Sequence, residues 1–356
     1  MSDKTFRIIN SDPSADELSP TNQFLSKHLT GRGLRRVYTC KPEVLIAINH
    51  NKSEYRNFIK CGGNPEKAFL LRLEPKSVYP KQFEKSIEDL YKLVITPGSV
   101  NDFNMSENFV GWPYMLNVNP AKPSQNEFPT DRFKPILNQG MFDQGEEWIK
   151  RPKVMTMIAA NKVSPILNSN YALRRILATQ LDCSILEIYG GLWKDSILVK
   201  LKYRIRTGLA NLKSGMVPNA IAIYGGLMKK YENAVGEVDN KFEVINQSRF
   251  SLVIENCDDY VSEKLFDAIV AGSLPIYIGP SLESVGLPSN IALSGHRTAK
   301  EIQELLNTIS SDDVLTILRE GREFLNGALF KEMWSADEVF EKISKIIITA
   351  ADNGES

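Results

Sequence analysis

The run Arg249–Pro280, RFSLVIENCDDYVSEKLFDAIVAGSLPIYIGP, governs how the rest of the chain is read. Phe250–Ile254 is a short apolar run of strand length that breaks off at Glu255-Asn256. Ser262–Ala271 predicts a helix, with Ser262 at its N-cap, Glu263 and Lys264 in its first turn and Gly272 as its stop. Leu274–Ile278, LPIYI, then predicts a second buried strand. Strand, helix and strand in that order form a parallel β-α-β unit. The N-terminus of such a helix presents unpaired N–H groups and a partial positive charge, where an anion can bind. Lys264 places a full positive charge at the end of the helix where the dipole disfavours it. That suggests a bound anion such as a pyrophosphate; the plain alternative is a capping serine and a solvated lysine.

The same alternation extends in both directions. Upstream, Glu43–Ile48, Ala68–Leu73, Leu93–Thr96 and Val154–Ala160 predict strands, and a loop-rich stretch rich in Pro and Asn runs from Val100 to Arg151. Tyr171–Leu181 predicts a helix; Ile185–Tyr189 and Ala220–Tyr224 predict strands. Ala336–Ile347 carries Val339, Phe340, Ile343, Ile346 and Ile347 on one helical face. The tetrapeptide IYGG occurs at Ile188–Gly191 and again at Ile223–Gly226. Leu198–Arg206, LVKLKYRIR, alternates Lys200, Lys202, Arg204 and Arg206 with apolar residues. On a strand the four cations share one face. The plain reading is a solvated face, the sharper one contact with an anionic membrane or a lipid-pyrophosphate acceptor.

The 356 residues favour two domains, placed at 1–150 and 151–335, with 336–356 as a C-terminal helix and tail. Lys plus Arg and Asp plus Glu number 43 each, so the chain lacks the basic excess of a nucleic-acid-coating protein. No apolar run reaches the roughly 20 residues of a membrane span, and MSDKTFRIINSDPS shows no secretory h-region. A cytoplasmic protein, peripheral to the inner membrane at most, is expected. Cys40, Cys61, Cys183 and Cys257 lack the spacing of a metal or disulfide framework, so reduced, mostly buried thiols are expected. Ligands of an open parallel sheet sit beyond the carboxyl ends of its strands, which directs attention to Glu74 and Asn256.

The opening stretch resembles the signature of glycosyltransferase family 10, the α-1,3/1,4-fucosyltransferases, in its bacterial type. The positions that carry it are Phe250, Glu255-Asn256, Tyr260-Val261-Ser262-Glu263-Lys264-Leu265, Gly272 and Leu274-Pro275-Ile276-Tyr277-Ile278-Gly279. Asn168–Leu181, Tyr189–Trp193 and Leu70–Pro80 resemble further elements of that family. The resemblance implies an α/β chain of GT-B type, two Rossmann-like domains facing across a cleft. It implies an inverting transfer of L-fucose from GDP-β-L-fucose to an oligosaccharide hydroxyl, without a required metal or cofactor. Carried over by position, Glu74 is the general base, Arg174 and Lys264 bind the pyrophosphate, and Asn256, Tyr260 and Glu263 line the ribose and phosphate pocket.

Each assignment has a structural rival. Glu74 can cap a strand end and be neutralised by Arg72, and Arg175 competes with Arg174. Glu255 reads as a turn-holder. Cys257 stands where the family commonly has Ser, and the turn from Asn256 to Tyr260 is short, which bears on the ribose contacts. The rival functions are transfer of another GDP-sugar and a non-catalytic nucleotide- or glycan-binding module. A dinucleotide-dependent oxidoreductase lacks its G-x-G-x-x-G after an early strand.

Overall fold

The computed structural model describes residues 4–11, 19–97, 109–112, 148–166, 169–213, 226–334 and 336–353. Its strands form two parallel six-stranded sheets. The first contains β1 (Thr5–Asn10), β2 (Arg35–Arg36), β3 (Val44–Ile48), β4 (Ala68–Leu71), β5 (Leu93–Pro97) and β6 (Phe109–Trp112) in the order β2-β1-β3-β4-β5-β6. Phe6 pairs with Val44, Leu45 with Ala68 and Phe69 with Leu93. The central strands VLIAI and AFLL are buried at every residue, as expected of parallel strands covered on both faces. Between the strands lie α1 (Pro20–Gly31), α2 (Lys52–Lys60) and α3 (Lys85–Glu88). Tyr55, Phe58, Ile87 and Tyr91 close over Leu45, Leu70 and Val94 as one core.

The second sheet contains β7 (Lys153–Ile158), β8 (Leu186–Tyr189), β9 (Ala234–Gly236), β10 (Ser248–Ile254), β11 (Leu274–Ile278) and β12 (Leu293–Ser294). Its order, β12-β11-β10-β7-β8-β9, is the doubly wound Rossmann arrangement. The chain winds outward from β7 to β9, returns to place β10 beside β7, and winds outward the other way. The carboxyl ends of β7 and β10 therefore flank the switch point, where a crevice opens. The helices are α4 (Tyr171–Gln180), α5 (Ile197–Lys213), α6 (Lys241–Ile245), α7 (Glu263–Val270), α8 (Ala299–Thr308) and α9 (Ser311–Asn326). Met155, Met157, Ile188, Leu252 and Ile276 form the centre of its core.

After α10 (Ala328–Trp334), α11 (Ala336–Asp352) returns to the first unit. Its expected apolar face is real: Val339, Phe340, Ile343 and Ile347 are buried, and Phe340 stacks on Phe24 of α1 at 5.5 Å. Lys27–Asp337 and Arg32–Glu341 pairs flank that contact at 2.6 and 2.9 Å.

Three expectations are corrected or fall elsewhere. LVKLKYRIR is helix α5, not a strand. At helical spacing Lys200 and Arg204 share the buried face, while Lys202 and Arg206 point to solvent, so a face of four cations does not exist. Lys200 Nζ donates to the Trp193 carbonyl at 2.8 Å. Alternating charge and aliphatic residues leave the period ambiguous over nine positions, and the buried pair Lys200 and Arg204, four residues apart, follows the helical one. The thiols are also not all reduced: Cys40 and Cys61 form a disulfide with Cα atoms 6.0 Å apart, while Cys183 is exposed and Cys257 buried. Cys61 closes α2 and Cys40 precedes β3, a juxtaposition that a separation of 21 residues does not reveal. The predicted strand 220–224 lies outside the described residues, as does most of the stretch 100–151.

Among the described residues no helix is long and apolar enough to cross a membrane.

Candidate functional site

The site in the second unit is built around a fully buried carboxylate. β10 ends at Ile254, and the Glu255 N–H donates to the Ile278 carbonyl at 2.8 Å, which carries the pairing with β11 one residue further. The Glu255 side chain, with no solvent exposure, accepts the Ser262 N–H at 2.9 Å and the Ser262 hydroxyl at 2.6 Å. One side chain thereby spans the turn 256–262 and fixes the N-terminus of α7. Lys264 Nζ donates to Ser262 Oγ at 2.7 Å and lies 3.6 Å from Glu255 Oε2. The cation set against the helix dipole thus has a partner inside the protein. Glu255 is held by a helix N-terminus and an ammonium group, the combination that makes a buried carboxylate tolerable.

Gly279 closes this arrangement from β11. A Cβ there would lie 2.5 Å from Tyr277 Oη and 2.9 Å from Glu255 Cγ, so the last residue of the Ile-Tyr-Ile-Gly run has no room for a side chain. The Tyr277 hydroxyl is pushed well above its ordinary value, first by burial and then by Glu255, Asp258 and Cys257. It stays a neutral phenol. Gly190, in the Tyr-Gly-Gly element after β8, has φ +134° and would place a Cβ 2.5 Å from the Ala159 carbonyl oxygen. Glycine is required there by both torsion and contact.

Arg174 enters from the first turn of α4. It is buried to 3%, and its Nη2 donates to the Ile254 carbonyl at 2.5 Å and to Asn256 Oδ1 at 3.0 Å, with the guanidinium 4.9 Å over the Tyr171 ring. Burial lowers its pKa, opposed by Tyr171, Glu255, Cys257 and Glu263, and a guanidinium keeps its charge through such a shift. Arg175 turns away: its Nη1 donates to the Lys162 carbonyl at 2.9 Å and its charge faces Arg204 and Tyr231. The structure brings Arg174, not Arg175, to Asn256.

Of the other expected residues, Asn256 is half-buried and its carbonyl accepts the Asn170 N–H at 2.9 Å. Tyr260 is buried to 3%, a core position. Glu263 faces away from the turn, its carboxylate 4.0 Å from Lys241 Nζ, which also pairs with Asp267. Glu263 and Lys264 share a cavity of about 60 Å³ with Thr156, Ser251 and Asp267, room for water but not for a nucleoside.

Three further residues complete the rim. Asn170 Nδ2 donates to Asp258 at 2.8 Å, and Arg297 donates to Asn170 Oδ1 at 3.0 Å and to both Asp258 oxygens at 3.3 Å. Asn170 and Asp258 lie inside the quoted motifs, whereas Arg297 lies in none and carries no local signal.

Glu74 belongs to the first unit, just past the carboxyl end of β4, and is half-buried. The rival reading, neutralisation by Arg72, is not what the structure shows. Arg72 is buried over the Phe83 ring at 4.1 Å and donates to Glu88 at 2.7 Å and to the Gln82 carbonyl. The strand end is ordered by Asn49, in the left-handed region at φ 54°, whose Oδ1 accepts the Leu73 N–H at 3.3 Å. Among the described residues no three His, Cys, Asp or Glu side chains are grouped to hold a metal.

Residues 210–316 match the C-terminal domain of glycosyltransferase family 10 (fucosyltransferase). A fucosyltransferase-like protein of Arabidopsis thaliana is 35% identical over 82 residues, 22% of this chain and 15% of that one. GDP-fucose protein O-fucosyltransferase 3 of Homo sapiens is 33% identical over 84 residues, 22% of this chain and 18% of that one. The matches thus cover less than a fifth of either relative. Among solved structures, Anabaena Alr3699/HepE in complex with UDP has a TM-score of 0.51 at 10% identity, covering 97% of this chain and all of that one. A glycosyltransferase from Rickettsia africae has a TM-score of 0.50 at 10% identity over 99% and 100%. With two parallel α/β units, each a Rossmann-like sheet, the chain has the GT-B type of fold, and over residues 210–316, within its second unit, it is similar to the C-terminal domain of glycosyltransferase family 10, the fucosyltransferases.

Proposed function

We propose that the protein is an inverting fucosyltransferase that moves L-fucose from GDP-β-L-fucose to a hydroxyl of a GlcNAc- or Glc-containing oligosaccharide, giving an α-1,3 or α-1,4 linkage in glycan or lipopolysaccharide assembly. The observation that carries this reading is the convergence at the switch point of the second sheet. There Asn256, anchored by Arg174, and the α7 N-terminus with Lys264 follow directly from β10 inside the matched domain. In the reaction Glu74 takes the acceptor proton, the acceptor oxygen attacks the anomeric carbon, and the bond to GDP breaks as negative charge builds on its β-phosphate. Lys264 and the α7 amides stabilise that charge without a metal. Arg174 acts through Asn256, which its Nη2 holds together with the Ile254 carbonyl.

Calorimetric titration with GDP, UDP and ADP tests the donor, and GDP-fucose turnover by wild type and Glu74→Gln tests the base. Selective GDP binding retained in a Glu74→Gln protein without turnover is the expected result; no preference for GDP overturns the donor assignment. A second acceptor, a protein hydroxyl, is favoured by the protein O-fucosyltransferase names of the human and other vertebrate relatives. Offering a Ser/Thr-containing polypeptide beside an oligosaccharide in the same assay separates the two. The cytoplasmic setting belongs to the same reading, and the Cys40–Cys61 disulfide pulls against it. Thiol counting on protein quenched directly from cells decides that point.

A further inference from the structure

The first unit holds a cavity of about 1,030 Å³ between α2 and the segment 79–90, the size of an oligosaccharide site. Its position follows from the sheet. β1 and β3 flank the switch point of the order β2-β1-β3-β4-β5-β6, and His50, just past the end of β3, lines the cavity. Glu74 lies past the end of the adjacent strand β4, so both sit at the carboxyl edge of one sheet.

The lining is chemically one-sided. Lys52, Arg56 and Lys60 recur every four residues along α2 and so share one face, and Lys81 stands opposite them. All four are exposed, and none is ion-paired among the described residues. Glu84 is the one acid in the lining. In a chain of zero net charge this is a local excess of cations. His50 registers it: its pKa is lowered by burial, then by Lys52 and Lys81. The floor is aromatic and built. Tyr55 donates to the Leu90 carbonyl at 2.5 Å, His50 Nδ1 is 2.8 Å from Tyr91 Oη, and the Gln82 side chain holds the His50 backbone. Tyr79, 42% exposed, adds a ring at the rim. Unpaired cations beside aromatic faces suit a ligand that is both saccharide and anion: rings pack on sugar C–H faces, and cations take the acid.

We propose that this cavity binds the anionic portion of the acceptor, a carboxylate- or phosphate-bearing oligosaccharide, through Lys52, Arg56, Lys60 and Lys81. The acceptor role rests on the function proposed above; the binding of an acidic saccharide does not. The test is calorimetry on the full chain with lactose, 3′-sialyllactose and lactose 1-phosphate, one neutral disaccharide with a carboxylate or a phosphate added. At least one anionic probe is expected to bind about ten-fold tighter than lactose, the scale of one charge-assisted contact. Whichever binds better identifies the acid. The advantage should shrink between about 0.05 and 0.3 M salt. Lys52→Ala/Arg56→Ala removes two exposed cations and should abolish the preference. Lys300→Ala/Lys345→Ala removes the same charge at exposed positions that do not line the cavity and should not. GDP titration of every variant keeps the two readings apart, since loss of GDP binding indicts the donor site alone. Equal binding of lactose and both anions, no binding of either anion, or equal loss in both double variants overturns the proposal.

Discussion

Replacing Arg174 with Met separates two roles that its sequence position cannot. If the guanidinium were a free pyrophosphate ligand, its removal would leave the unliganded protein as stable as before. The structure instead commits it to the Ile254 carbonyl and Asn256 Oδ1, at 2.5 and 3.0 Å, in a site with 3% exposure. Two hydrogen bonds from a charged donor contribute about 1.5–3 kcal/mol each. A buried guanidinium also costs desolvation, which its lowered pKa reflects and which Met recovers in part. The net loss is about 2–4 kcal/mol, and at about 2–4 °C per kcal/mol for a unit of this size Tm falls by about 4–16 °C. Asn256 then loses its anchor, so GDP binding should weaken as well. The assay is calorimetric unfolding without nucleotide, followed by GDP titration below the new Tm. An unchanged Tm with lost GDP affinity would refute the positioning role and make Arg174 a direct ligand.

Gly279→Ala should destabilise the second unit by about 1–3 kcal/mol through the clash with Tyr277 and Glu255, and Tyr277→Phe in the same chain should relieve part of it in denaturant titrations. Reducing Cys40–Cys61, or the Cys40→Ser/Cys61→Ser pair, opens a loop of about 20 residues and should cost the first unit about 3 kcal/mol, read as a lowered urea midpoint. His50 has its folded pKa depressed below 6.5 by burial, Lys52 and Lys81, so the unfolded chain binds its proton more tightly. Its contribution to stability is present above about pH 6.5 and fades as pH falls through the lowered folded value. His50→Gln should flatten that part of the Tm–pH curve, and an unchanged slope would show that the group titrates freely.

The parallel sheets were legible because buried parallel strands are written as short apolar runs: VLIAI, AFLL and LPIYI needed no further context. TFRIIN was not found, although β1 is internal, because polar Thr5, Arg7 and Asn10 interrupt its apolar residues. Arg7 meets Glu54 at 2.6 Å only once α2 has folded back on the strand. LVKLKYRIR failed for a related reason: its alternation held at the strand period while Lys200 and Arg204 kept the helical one. Within the site, motif density located the turn 255–264, but which side chains face each other is tertiary information. Nothing local distinguishes Arg174 from Arg175 or couples Arg297 to Asp258.

Lys264 shows why that distinction matters for the chemistry. A lysine at a helix N-terminus with no internal partner would bind any phosphate strongly in the ground state, which slows release without lowering the barrier. Here the ammonium already rests on Ser262 and lies 3.6 Å from the buried Glu255 carboxylate. In the proposed reaction ground-state GDP-fucose would compete with that pairing, and only the additional charge that develops as the glycosidic bond breaks would make the exchange strongly favourable. Glu255→Gln tests this logic: it keeps an acceptor for Ser262 but frees the ammonium from its counter-charge. In the proposed reaction GDP should then bind tighter while kcat falls, the opposite of the joint loss that a merely structural Glu255 would produce.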